Sequence, residues 1–111
     1  MNELHAWLAQ QHHGLRTFKT FQTKLEQFSA NHPAQRGVCR VLAQLVDSYV
    51  EAFEEAPVPV DLADEVHNRL TQLLSTLDLD GDAIRRLDDI NRIASFTLWP
   101  FPQEHASAAA P

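Results

Sequence analysis

The sequence predicts an all-α protein, an antiparallel bundle of about four helices with a long first helix. Apolar residues recur at three- and four-residue spacings in four segments, which is the periodicity of amphipathic helices. Only three glycines occur, and few segments alternate apolar and polar residues as the strands of a sheet would. The length of 111 residues suits one domain, expected over 1–102, and the alanine-rich remainder, 103–111, is expected to be a disordered tail.

The first helix is predicted over 2–30. Its apolar side chains fall at heptad positions, and they are Leu4, Trp7, Phe18, Phe21, Leu25 and Phe28. Gln11 and Gly14 interrupt this series, and a glycine inside a helix costs about 1 kcal/mol. The helix therefore either kinks near Gly14 or ends and restarts there, which would leave Leu4, Trp7 and Leu8 on a separate N-terminal turn.

Turn signals separate the remaining helices. Pro33 disfavours helix at the residue before it, and Pro57 and Pro59 hold a stiff extended connection. Asp82 ends an acidic turn and is expected to cap the last helix. On that helix the apolar residues are expected to face the core, and they are Ile84, Leu87, Ile90, Ala94 and Leu98. The three helices are predicted over 33–56, 62–77 and 83–98.

Composition argues against several function classes. The single cysteine, Cys39, rules out an intrachain disulfide, and its apolar neighbours place it in the core. A net charge of −6 repels phosphate, so no nucleic-acid partner is expected. No stretch approaches the roughly 18 apolar residues of a membrane span, and the first ten residues do not resemble a signal peptide. We expect a cytoplasmic protein.

The charges divide unevenly along the chain. Residues 1–46 carry five basic and two acidic residues, whereas residues 47–111 carry four basic and thirteen acidic residues. Such a division favours either head-to-tail self-association or a protein partner that is basic where this chain is acidic.

Two pairs of carboxylates suggest an alternative function. Glu51-x-x-Glu54 and Asp61-x-x-Asp64 each place two acids on one helix face, and they resemble the paired acidic motifs of all-helical nucleotide pyrophosphohydrolases. This resemblance implies bound magnesium and phosphate-ester hydrolysis, or at least a metal-binding bundle. Glu51 and Glu54, however, lie opposite the apolar face of their helix, whereas a catalytic metal needs carboxylates that line a pocket.

No other motif predicts a reaction or a cofactor. The acidic turn carries Ala83 where a calcium loop requires its glycine, and Asp64-x-x-His67 supplies only half of a di-iron signature. Cys39 has no acid or histidine spaced to activate it. We therefore predict no catalytic residues, no metal ligands and no cofactor.

Aromatic and acidic residues instead favour a protein-binding role. The prediction is a small acidic helical regulator that binds another protein and blocks or holds it, as anti-activators, chaperones and immunity proteins do. A heptad stripe is also self-complementary, so a homodimer is expected. The predicted binding residues are a groove-filling face, two anchors that carry most of the binding energy, and four charges that steer the partner: Phe18, Phe21, Leu25 and Phe28; Trp99 and Phe101; Asp47, Glu51, Glu54 and Glu55.

Overall fold

The computed structural model describes residues 2–99, with no side-chain description for Asn2; Phe101 and the predicted tail over 103–111 lie outside this range. Every regular element in the described range is helical, which confirms the all-α prediction, but there are five α-helices instead of about four. They are α1 (Asn2–Ala9), α2 (Leu15–Asn31), α3 (Arg36–Ala52), α4 (Val60–Thr76) and α5 (Ala83–Ala94), with a 3₁₀ turn over Pro33–Gln35.

The prediction of a long first helix is wrong, because one helix ends at Ala9 and the next begins at Leu15. The amide of Gly14 donates to Nδ1 of His12 at 3.1 Å, and the Thr17 hydroxyl lies 3.2 Å from the same atom. A Cβ on residue 14 would lie only 3.0 Å from that ring nitrogen, so glycine permits the close turn. The reversal lets α1 pack beside α2, where a continuous helix would carry Leu4 and Leu8 away from the core.

The helices that follow run antiparallel to their predecessors. Lys19 near the start of α2 pairs with Glu54 just past the end of α3. At the opposite end of α3, the Gln35 amide donates to the carbonyl of Gly81, in the loop between α4 and α5. α1 packs against both α2 and α4. The core between them is formed mainly by Leu4, Leu8, Phe18, Phe21, Leu25, Leu42, Val46, Tyr49, Val66, Leu70 and Leu74.

A histidine cluster joins α1 and the α1–α2 turn to α4. His67 of α4 is buried and donates from Nε2 to the carbonyl of Leu8 at 2.8 Å. The ring of His13 stacks on the ring of His67 with centroids 3.9 Å apart, and its Nδ1 lies 2.7 Å from a carboxylate oxygen of Asp64. Burial lowers the pKa of His67, and nearby His13 acts in the same direction, against the Leu8 hydrogen bond and the Asp64 charge. The neutral ring is therefore the form that holds α1.

The predicted core face of the last helix is wrong in part: Leu98 is buried and Ile90 packs against the core as predicted, but the other three residues are exposed. Ile84 and Leu87 of α5 are 81% and 61% exposed, and Ala94 is also exposed. The opposite side of α5 faces the protein, with Ile93 and Asp89 both buried. Asp82 does cap this helix as predicted, accepting a hydrogen bond from the amide of Arg85.

Hydrogen bonds from charged side chains fix this orientation of α5. The Asp89 carboxylate accepts from Nε of Arg85 at 3.1 Å and from the backbone amide of Asp78 at 3.0 Å. Arg85 also donates to the carbonyl of Thr76, the last residue of α4, and Arg86 donates to the carbonyl of Gly81 at 3.1 Å. These bonds satisfy backbone groups of the α4–α5 connection, which a buried helix end requires. The inward side of α5 therefore combines this polar network with Ile93 and Ile90.

Removal of the Asp89 charge should test this arrangement. Asp89→Asn removes the charge from a buried position and weakens its bonds to Arg85, which is partly exposed, so we expect the free energy of unfolding to fall by about 2–4 kcal/mol in urea denaturation. Asp88→Asn is the matched control: Asp88 pairs with Arg92 at 3.3 Å on the exposed side of α5, and its loss should cost no more than about 0.5 kcal/mol. Equal losses in the two variants would contradict the role given to Asp89.

The histidine cluster should make stability depend on pH. Because the pKa of His67 in the folded chain lies below its ordinary value of 6.5, the unfolded chain binds the proton more readily. Stability should therefore decrease as the pH falls below about 6.5. His67→Gln should remove this part of the decrease in urea unfolding midpoints, whereas His32→Gln, at an exposed position outside the cluster, should retain it. An unchanged slope in the His67→Gln variant would show that other groups cause the decrease.

Candidate protein-binding surface

Aromatic side chains from two distant parts of the sequence meet where α3 ends. The rings of Phe53 and Trp99 lie 5.2 Å apart in an edge-to-face arrangement, and both also approach the buried ring of Tyr49. Phe53 and Trp99 are each half-buried, so each keeps part of its ring in contact with solvent. Trp99 is thus anchored to the core on one side and open to a partner on the other.

Three exposed carboxylates are close to Phe53 in the sequence, at the same end of α3. Glu51, Glu54 and Glu55 lie in or just after the last turn of α3 and are all exposed. Glu54 contacts Lys19 at 2.8 Å, but both side chains are about half exposed, so this ion pair contributes little stability. Glu51 and Glu55 form no ion pair within residues 2–99. We call the set Glu51, Phe53, Glu54, Glu55 and Trp99 the acidic end.

The position of these acids is unfavourable for the helix itself. Carboxylates near a helix C-terminus are opposed by the helix dipole, by about 0.3–1 kcal/mol each. The acidic end therefore combines carboxylates that do not stabilise α3 with two aromatic rings that the fold covers only in part.

The structure separates the other predicted binding residues from this surface. Phe18, Phe21 and Leu25 are fully buried in the chain's own core, so the face predicted to fill a partner's groove fills the space between the helices instead. Phe28 is half-buried and stacks on His32 with ring centroids 4.0 Å apart. Asp47 is exposed further along α3, where the Gln22 amide donates to it at 3.3 Å.

An open groove of about 650 Å³ lies between α2 and α3. Arg36 and Arg40 line it together with Glu26 and Asp47, so its charges are of both signs. Cys39 is also in its lining and is buried as predicted, and burial raises the pKa of the thiol to about 11. A thiol that stays protonated at neutral pH is a weak nucleophile. The groove therefore has no activated cysteine.

The two carboxylate pairs that resemble a hydrolase motif do not form a metal site. Glu54, just after α3, pairs with Lys19, whereas Asp64, in α4, pairs with His13. Within residues 2–99, no three His, Cys, Asp or Glu side chains converge closely enough to hold a metal ion. The histidine cluster brings only His13, His67 and Asp64 near one another, and Nε2 of His67 is already bonded to a backbone carbonyl.

The sequence did not predict that α5 exposes Ile84 and Leu87. Both were assigned to the core, because an apolar stripe has the same periodicity whether it faces the core or the solvent. The sequence does contain one indication of the true orientation. Arg85 and Asp89 are four residues apart, the spacing of an ion pair on one helix face, and this pair lies on the inward side.

No described helix is long and apolar enough to cross a membrane. Comparisons with known proteins place no further limit on the function. No protein-family model matches this chain, and neither the curated proteins nor the solved structures give a match.

Proposed function

We propose that this chain is a small, non-enzymatic cytoplasmic regulator that acts by binding another protein at the acidic end and blocking or holding it. The observation that carries the proposal is the contact between Trp99 and Phe53, which brings a partly exposed tryptophan to the end of α3, the segment that carries Glu51, Glu54 and Glu55. These residues come from two segments more than forty positions apart, so the fold itself assembles the combination.

The chemistry of this surface indicates the kind of partner. A tryptophan that is already held on one side loses little freedom when a partner covers the other side, which is typical of an interface anchor. Carboxylates at the rim accelerate association with a positively charged surface and repel acidic ones. The proposed partner is therefore a protein with an apolar pocket bordered by Lys and Arg side chains.

A capture experiment with variants tests the proposal. Tagged wild-type protein should retain one protein from a lysate of the native host at near-stoichiometric amounts, and Trp99→Ala should weaken that binding by roughly 30-fold or more, as the loss of an anchor worth at least 2 kcal/mol does. Trp7→Ala is the matched control, since Trp7 is also half-buried but lies beside Lys24, away from the acidic end.

Melting curves must show that both variants remain folded. Equal binding by wild type and Trp99→Ala, or the absence of any retained protein, would contradict the proposal. The charge component is tested separately by Glu51→Gln with Glu55→Gln, which should slow association with the retained protein and reduce its dependence on salt.

Magnesium addition separates this proposal from the hydrolase alternative. A ligand that binds the folded chain raises its melting temperature, by an amount that grows with concentration. We expect millimolar magnesium or manganese to leave the melting temperature unchanged. A clear increase, abolished by Asp61→Asn with Asp64→Asn, would favour the metal-dependent enzyme.

A further inference from the structure

A second surface, independent of the acidic end, lies on α5. Its outward side carries Ile84 and Leu87, followed one and two turns later by Asn91 and Ala94, all exposed. We call these four residues the α5 face. Together with Val60, Ile84 and Leu87 are the large hydrophobic side chains that the described part of the chain leaves exposed. Two such side chains one turn apart on one helix are typical of an interface.

No segment within residues 2–99 covers this surface, since Ile84 and Leu87 remain 81% and 61% exposed. Ile90, on the inner side of α5, lies against Gly37 at the start of α3 instead.

The charges beside the α5 face are complementary to those of a second copy of the same chain. Asp88 and Arg92 flank the face one turn apart and pair with each other at 3.3 Å. In an antiparallel two-fold arrangement centred between them, Asp88 of each copy lies level with Arg92 of the other. Opposite charges therefore meet on both sides of the two-fold axis, near the middle of the contact, although each chain carries a net charge of −6.

The same arrangement is consistent with the apolar residues. With the two-fold axis at this level, Leu87 of each copy packs over Asn91 and Ala94 of the other, where the small alanine side chain leaves room for it. A basic partner of the kind proposed for the acidic end gains nothing from the α5 face, which carries no charge and is flanked by one charge of each sign.

We infer that two copies of this chain associate through their α5 faces, antiparallel and related by a two-fold axis. The contact involves one face of a 12-residue helix, about 18 Å long, whereas a standard protein interface takes roughly 20–30 residues from each partner. The dimer is therefore weak and dissociates on dilution, and both acidic ends remain free to bind another protein.

Sedimentation velocity over a dilution series tests this inference with a matched pair of variants. Wild type should convert from dimer to monomer on dilution, and Leu87→Glu should raise the dissociation constant by at least about tenfold. Val60→Glu is the control, because Val60 is equally exposed but lies at the start of α4. Both variants should melt as wild type does at monomeric concentrations. A wild type that is monomeric throughout, or a dimer that Leu87→Glu does not weaken, overturns the inference.

Charge exchange tests the antiparallel arrangement. Asp88→Arg should weaken the dimer because it places two arginines level with each other, and the further change Arg92→Asp should restore it. Failure of the double variant to restore the dimer would overturn the two-fold pairing. Because neither residue belongs to the acidic end, the capture of another protein should be unchanged in all these variants.

Discussion

The buried carboxylate of Asp89 determines how the last third of the molecule is arranged. A buried charge requires donors, and here they are the guanidinium of Arg85 and the amide of Asp78. The Asp78 amide lies just after α4, and Arg85 is bonded to the carbonyl of the last residue of α4. These contacts determine which side of α5 faces the protein. Rotation of α5 by half a turn would bury Ile84 and Leu87 but expose Ile93 and Ile90, so the apolar gain and the apolar loss largely cancel. It would also break several hydrogen bonds to charged groups, each worth about 1.5–3 kcal/mol, and leave backbone groups unpaired. The polar network therefore decides the orientation of α5.

Local sequence signals predicted those parts of the fold that depend on neighbouring residues. The stop at His32 and Pro33, the cap at Asp82 and the buried position of Cys39 all follow from short-range chemistry. The break between α1 and α2 was only one of two possibilities at Gly14, because it depends on contacts with α4. The orientation of α5 could not be predicted from periodicity, since it is decided by Asp89 and the carbonyls of a preceding helix end.

The candidate site was predictable to a similar degree. Phe18, Phe21 and Leu25 form the same heptad stripe whether the surface that covers them belongs to another protein or to the chain itself, and here it belongs to the chain. Trp99 differs because the proline after it ends the helical pattern, which separates the ring from the heptad stripes. Its contact with Phe53, however, depends on how α3 and α5 lie side by side, which no local pattern records.

The hydrogen bond between Leu8 and His67 has a consequence for folding during synthesis, because it joins residues 59 positions apart. α1 has only eight residues and cannot persist as an isolated helix in water. A ribosome adds about 5–20 residues per second, so roughly 3–12 s pass between the synthesis of these two residues. During that interval Leu4, Trp7 and Leu8 have no α4 to pack against. The nascent chain therefore presents a short apolar segment to chaperones well before the segment that will cover it has been translated.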